Sequence, residues 1–270
     1  MQDVSYAGKK IVVTGGHSGI GAALLEVLRE FGADDLTVLD VKEPSQPVER
    51  FIETDMGNPV AVDAAAGAIG SGVDVLFNNA GIAATHPADL VMRVNILGLK
   101  RLTEQLLPGM NSGGAIVNTA STAGNQWAAN LERIVQLLAL SSWDESIAWV
   151  HDNTAVIADG YFFSKQCVQV YTMQLSRPAI RRGIRVNSVC PSPVDTPLLP
   201  EFRATMTDAI IDWAIAEGAG RVATPRDQAK ALAFLGSDLA SYVNGVNLLV
   251  DGGFTAAMLT GQITPPGQAS

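Results

Sequence analysis

Tyr161 and Lys165 are the side chains in this 270-residue sequence whose types and spacing most readily suit proton transfer. They stand four apart in a segment that continues apolar at Val168, Val170 and Met173, which places both on one face of a helix. A phenol titrates near ~10, too high for an efficient base at neutral pH, and an adjacent ammonium lowers that value by favouring the phenolate. Such a pair can pass a proton to or from an oxygen held beside it. Helices contain many Tyr-x3-Lys pairs, so the pair gains meaning only from a binding site nearby.

A binding site is indicated by Thr14-Gly15-Gly16-His17-Ser18-Gly19-Ile20-Gly21, which follows an apolar run at 11–13 and opens a helical pattern. In that context the glycines permit a tight turn and close approach of backbone to a pyrophosphate. Free N–H groups and the helix dipole then attract the phosphates. The spacing is Gly-x3-Gly-x-Gly, unlike the Gly-x-Gly-x2-Gly of many dinucleotide binders. Asp40 ends the next apolar run, where a carboxylate can accept hydrogen bonds from ribose hydroxyls and would repel a 2′-phosphate. His17 and Val41 place no fixed positive charge beside it, although Lys42 is within swinging distance, so NAD is expected over NADP. A solvated turn aspartate is the alternative. Asp55 is a candidate for the adenine amino group, with Met56 flanking the ring; it would serve equally as a cap.

These residues need a scaffold, and the apolar runs supply one. Buried parallel strands are expected at 11–13, 36–39, 73–77, 115–118, 184–189 and 246–250, with helical patterns between them. Ile20, Leu24, Leu25, Val27 and Leu28 form the face of the first helix, and Gly32 is a suitable stop. Strand and helix in alternation predict an α/β fold: one doubly wound parallel sheet with helices on both faces, spanning 1–270. Two stretches break the rhythm. An insertion over 123–160 carries helical patterning at Leu131, Ile134, Val135 and Leu138, and a second start at Ser142 with Glu145 in capping-box spacing. A segment over 191–225 begins with four prolines and continues through Ile210, Ile211, Trp213 and Ile215, as expected for a lid.

Composition excludes several functions. With 47% hydrophobic and 17% charged residues the chain has the makings of a packed core, and its net charge of −9 repels nucleic acid and acidic membrane surfaces. Cys167 and Cys190 lie in apolar surroundings without CxxC or Cys/His spacing, so buried free thiols are expected and a metal site is not. No apolar run resembles a signal peptide or a membrane span, and a cytoplasmic location is expected.

The motifs together resemble the short-chain dehydrogenase/reductase family over nearly the whole chain. Thr14 to Gly21, Asn78-Asn79-Ala80-Gly81, Asn95, Asn118-Thr119-Ala120-Ser121, Tyr161-x3-Lys165, Arg185-Val186-Asn187 and Asp251-Gly252-Gly253 occur in the family's order. The resemblance implies a Rossmann-type domain and reversible hydride transfer between NAD and a carbonyl or alcohol. Tyr161 would act as acid or base and Ser121 would hydrogen-bond the substrate oxygen. Lys165 would tune Tyr161 and bind the nicotinamide ribose, and Asn95 would hold a relay water. Gly15, His17, Ser18, Gly19, Ile20, Gly21, Asp40, Val41, Asp55, Met56, Asn79, Ala80 and Gly81 would line the dinucleotide. Asn79 is expected to brace neighbouring strands, and Pro191, Val194 and Thr196 would meet the nicotinamide. Two hydroxyl donors suit this chemistry, because hydride transfer to a carbonyl builds negative charge on its oxygen. One departure stands out: Pro191-Ser192-Pro193 occupies the place of the family's Pro-Gly, so the turn under the nicotinamide is expected to differ.

Ser121 and Tyr161 are forty positions apart, more than in most members. That insertion, with Asp195-Thr196-Pro197-Leu198-Leu199 and a Met-containing tail, resembles the bacterial 3α-hydroxysteroid dehydrogenase/carbonyl reductase subgroup. The resemblance implies a homodimer or homotetramer with an altered helix contact. Leu198, Leu199, Phe202, Met206, Ile210 and Trp213 are expected to close over a hydrophobic secondary alcohol or its ketone, steroid-like, cyclic or aromatic, or else to pack on the domain or a partner subunit. A catalytically silent dinucleotide-binding regulator would lack Ser121, Tyr161 or Lys165, and all three are present. A sugar epimerase or dehydratase would need more chain for its substrate region.

Overall fold

The computed structural model describes residues 4–266. Seven parallel strands form one sheet in the order β3-β2-β1-β4-β5-β6-β7: β1 (Lys10–Thr14), β2 (Asp35–Asp40), β3 (Arg50–Glu53), β4 (Val75–Asn78), β5 (Ala115–Thr119), β6 (Arg185–Pro191) and β7 (Asn247–Val250). The six expected strands are all present. β3 was not expected, and the reason is physical. Its four residues, Arg-Phe-Ile-Glu, form a half-exposed edge with charges at both ends, so no apolar run marks it.

The alternation of side chains along each strand feeds two faces. Ile11, Val13, Leu36, Val38, Val75 and Phe77 point to one side, where α1 (Gly19–Glu30) and α11 (Pro225–Gly236) contribute Leu24, Leu28, Leu232 and Leu235. Val12, Leu39, Leu76, Ile116 and Val186 point to the other, onto α2 (Pro59–Ile69) and a composite helix. That helix comprises α3 (Ala88–Met92), a π turn over Arg93–Gly98, and α4 (Leu99–Leu106). Gly32, at φ +84°, follows α1 as its stop.

The insertion forms α5 (Leu131–Leu138), α6 (Trp143–Asp152) and α7 (Thr154–Ile157). Ile134, Leu137, Val150 and Ile157 bury themselves against Phe163, Cys167 and Val170 of the long α8 (Tyr161–Ile180), and Trp149 stacks on Phe163 at 5.9 Å. The chain therefore covers this flank of α8 with its own insertion. Ser142 caps α6 by accepting from Glu145 N, but the reciprocal half of the capping box does not form. The second irregular stretch folds into α9 (Leu199–Met206) and α10 (Asp208–Glu217), and α12 (Phe254–Leu259) follows β7. Both cysteines are buried and free, and among the described residues no helix is long and apolar enough to cross a membrane.

Candidate active site

Strand order reverses between β1 and β4, so their carboxyl ends open a crevice between the loops that follow them. The glycine-rich turn fills one lip. A Cβ at position 21 would lie 1.8 Å from the Gly15 carbonyl oxygen, which only glycine avoids. Gly15 packs equally tightly, with a hypothetical Cβ 2.6 Å from Ala80 Cα. Ser18 makes no side-chain cap to α1, and the first turn of α1 carries no acid. The N–H groups at Gly19 and Ile20 are thus presented without a competing side-chain anion, as a bound pyrophosphate would require. Ile20 itself packs against the core beneath.

Asp40 stands at the end of β2, as expected, and its carboxylate is anchored locally: it accepts from His17 N at 2.9 Å and Lys42 N at 3.2 Å. Val41 beside it is exposed, and His17 Nδ1 meets the Glu43 carbonyl at 2.8 Å. Asp55 is exposed and accepts from Gly57 N at 2.8 Å in a local turn, while the alternative role as a cap falls to Asn58, at the start of α2. Met56 departs from expectation. Its side chain is buried in the core with Val62 and Leu102, so its thioether is turned away from the crevice.

The opposite lip is the loop after β4. Thr14, which opens the glycine-rich motif and has no individual role assigned from sequence, accepts from both Asn79 N and Ala80 N at 3.0 Å. Asn79 donates to Gly15 O at 3.0 Å and accepts from Thr119 at 3.1 Å, bracing β1, β4 and β5 as anticipated. Gly81 faces the chemistry: a Cβ there would lie 3.3 Å from Asn95 Oδ1 and 3.6 Å from Lys165 Nζ. Asn95 lies in the π turn, a distortion that often marks a functional site. Its amide pairs reciprocally with Ile82, at 2.9 Å to N and 3.1 Å to O, and donates to Ser164 Oγ at 3.2 Å.

Ser121, Tyr161 and Lys165 converge. Ser121 lies two residues beyond the end of β5 and accepts from Ala123 N at 3.1 Å, which leaves its O–H free to donate. Lys165 donates to Thr119 O at 2.9 Å and lies 5.9 Å from the Tyr161 ring centroid. Both side chains are buried, and burial governs both titrations. It pushes the Tyr161 phenol up to about 12; the Ser121 hydroxyl pulls the other way and Asp159 adds to the rise. It pulls the Lys165 ammonium down to about 8. The expected lowering of Tyr161 by Lys165 is therefore not what this arrangement does. The ammonium lies over the ring and donates to a carbonyl, and desolvation of the phenolate dominates.

The third wall comes from the segment after β6. Pro191 ends that strand, its carbonyl accepting from Thr122 Oγ1 at 3.2 Å. The Pro-Ser-Pro turn leads to Val194, which bridges in parallel to Ala223, and Thr196 reaches the glycine turn, 3.2 Å from where a Gly19 Cβ would stand. Of the expected lid residues, Phe202 lies over Tyr161 with ring centroids 5.0 Å apart. Trp213 instead packs edge-on to Phe254 of α12 at 4.9 Å, and Ile210 is exposed, because Ile211 and Ala214 form the buried stripe of α10. Thr85, in the loop after β4, donates to Glu201 of α9 and ties the lid across the crevice. Cavities of about 230 and 360 Å³ open elsewhere, one against α4 and α6 and one between α10, α11 and β7; neither includes Tyr161.

A dinucleotide crevice, two hydroxyls and a buried ammonium on one doubly wound sheet define an oxidoreductase site. The chain belongs to the short-chain dehydrogenase family: the family's model, described as short chain dehydrogenase, matches residues 9–132, and a related model described as enoyl-(acyl carrier protein) reductase matches 136–255. It is 36% identical to a coniferyl-alcohol dehydrogenase of Pseudomonas sp. (strain HR199 / DSM 7063), covering 92% of this chain and 97% of that one. It is 35% identical to 3beta-hydroxysteroid dehydrogenase 1 of Eggerthella lenta, over 92% and 94% of the two chains. Among solved structures, the 3-alpha-hydroxysteroid dehydrogenase from Pseudomonas sp. B-0831 complexed with NADH superposes with a TM-score of 0.77 at 29% identity, covering 95% of this chain and 100% of that one.

Proposed function

We propose that the protein is an NAD-dependent dehydrogenase that interconverts a hydrophobic cyclic or aromatic alcohol and its carbonyl compound. The observation that carries this reading is Phe202 seated over Tyr161 at 5.0 Å, which makes the surroundings of the reacting oxygen apolar and aromatic. The similar proteins named for coniferyl alcohol and hydroxysteroids support the same substrate class.

A nicotinamide bound in the crevice supplies the hydride acceptor or donor. The residues of the chain handle the rest. In reduction Tyr161 gives its proton to the carbonyl oxygen and Ser121 donates a hydrogen bond to the same atom, where negative charge grows. In oxidation the alcohol proton passes to the Tyr161 phenolate. The raised phenol pKa keeps Tyr161 in the protonated form that reduction consumes, so oxidation gains most from alkaline pH. Lys165 holds the nicotinamide ribose and faces Gly81 across the crevice. Asn95, its side-chain amide bonded to Ile82 and Ser164, would hold a water that links Lys165 to solvent. Asp40 takes the adenosine ribose hydroxyls and disfavours a 2′-phosphate, which is the basis for NAD.

The test pairs NAD or NADP with coniferyl alcohol, a 3β-hydroxysteroid, and glucose as a polar control. Turnover is expected with one of the hydrophobic alcohols and NAD, and Tyr161→Phe should lower it by about 10²–10⁴-fold while NADH still binds. Failure to bind NADH, or full activity in Tyr161→Phe, overturns the reading.

A further inference from the structure

Ser121 and Tyr161 stand forty positions apart in the chain with three α-helices between them, yet a shared substrate oxygen requires their hydroxyls to be held to about 0.5 Å. The insertion cannot set that distance well, because α7 ends in a backbone kink at Ala158 (φ +53°) and Asp159 is exposed. A shorter link exists. Tyr161, Lys165 and Gln169 succeed one another at four-residue intervals along α8, on one face. Gln169 is 2% exposed, and its amide nitrogen donates to Ser121 O at 2.9 Å and to Asn125 Oδ1 at 3.1 Å.

The turn over 122–124 lies flat on α8 to permit this. A Cβ on Gly124 would stand 2.6 Å from Lys165 O and 2.7 Å from Gln169 Nε2, so the helix and the turn are in backbone contact at that point. The brace continues outward. Asn125 donates to Thr255 Oγ1 at 3.1 Å, and Thr255 N donates to Asp251 at 2.9 Å, joining the turn to the start of α12. The Ser121 main chain is thus hydrogen-bonded to the helix that carries Tyr161 and Lys165, bypassing the insertion.

We propose that Gln169 is a positioning residue, which sets the Ser121 hydroxyl relative to Tyr161 by holding the Ser121 carbonyl to α8. The proposal rests on the reading of Ser121 as a donor to the substrate oxygen. Gln169→Met keeps the volume and removes both donors. It is expected to lower kcat by about 10²-fold, the scale of a 1 Å misplacement, with KM and NADH affinity little changed. Ser121→Ala is expected to cost about 10²–10³-fold, and the double variant no more than Ser121→Ala alone, since a mispositioned hydroxyl has little left to lose.

The assay uses NAD with coniferyl alcohol or the 3β-hydroxysteroid, and a crystal structure of the Gln169→Met complex with NADH reads the position of Ser121 directly. Losses that multiply in the double variant, or an unmoved Ser121 turn, overturn the proposal. If Ser121→Ala keeps full activity while the turn is displaced in Gln169→Met, the donor role of Ser121 has failed and the structural brace has not. Should Gln169→Met not fold, Gln169→Asn retains the amide but falls one methylene short, and the same two readouts apply.

Discussion

Around the glycine-rich turn the molecule is held by backbone against backbone, whereas around Phe202 it is held by side chain against side chain. At Gly21 there is no space even for one carbon, since a Cβ would fall 1.8 Å from Gly15 O and 2.7 Å from Asn79 Nδ2. At Phe202 the contact is with the tilted ring of Tyr161, centroids 5.0 Å apart, on an eight-residue helix with no fully buried residue. The first arrangement tolerates nothing, and suits a ligand whose pyrophosphate never varies. The second tolerates repacking, and suits a substrate that differs from one protein to the next. Rigidity here follows what the region must recognise.

The comparison breaks most visibly at Gly21→Ala. The added methyl must displace the Gly15 carbonyl or the Asn79 brace, both of which shape the lip where the dinucleotide lies. Loss of NADH binding by at least about 10²-fold is expected, read by fluorescence titration, with destabilisation of about 2 kcal/mol or more in urea melts. Unchanged NADH affinity would mean that the turn is looser than the close contacts imply.

Much of this first region is legible in the sequence because its constraints are stereochemical. Glycines between a strand and a helix, and Tyr161 four places before Lys165, report geometry that few other residue types can supply. What escapes is whatever depends on packing from a distance. Strand β3 escapes because its Arg50 and Glu53 mark an edge, not an apolar run. The phase of α10 escapes because Ile210, Ile211, Trp213 and Ala214 place apolar groups on several faces, and only tertiary contact selects Ile211 and Ala214 for burial. The same holds for the titrations. Residue spacing tells that Lys165 neighbours Tyr161, but not that both are so dry that burial outweighs their mutual influence. Gln169 was missed for a related reason: one more polar residue at helical spacing looks like a solvated face until Ser121 and Asn125 close over it.

An intermediate effect is expected at Lys165, the point where the two regions meet. Burial lowers its pKa from the usual 10.5 to about 8, so below pH 8 the folded protein carries the full cost of a dry ammonium. Between pH 8 and 10.5 the unfolded chain binds more protons than the folded one, and this term makes stability rise with pH. A tenfold change in proton affinity is worth about 1.4 kcal/mol, and the bond to Thr119 O offsets part of the total. Lys165→Met should therefore abolish turnover yet stabilise the fold at pH 7 by about 1–3 kcal/mol, with the gain shrinking toward pH 10 in urea melts. A variant less stable than the parent at both pH values would show that the ammonium is held by more than one carbonyl.

The smallest effect is expected at Phe202→Ala, and it tests the tolerant side of the comparison. Phe202 is half-buried, and α9 is anchored independently through Glu201 to Thr85 and through Arg203 to Asp208 and Asp212 at 2.8 and 2.7 Å. Removing the ring should leave the fold within about 1 kcal/mol of the parent, as for a partly exposed aromatic with little packing around it. Its consequence should fall on substrate choice. An aryl alcohol that stacks on Phe202 loses one aromatic contact, worth about 0.5–1.5 kcal/mol, and its kcat/KM should drop by up to about tenfold. A bulkier polycyclic alcohol gains the space vacated and should lose less, or improve. NADH affinity should not change, because Phe202 meets Tyr161 from the lid side and the glycine turn contacts the lid through Thr196. An equal loss for both alcohols would place Phe202 in orienting Tyr161 itself, and the lid would then belong with the rigid region rather than the adaptable one.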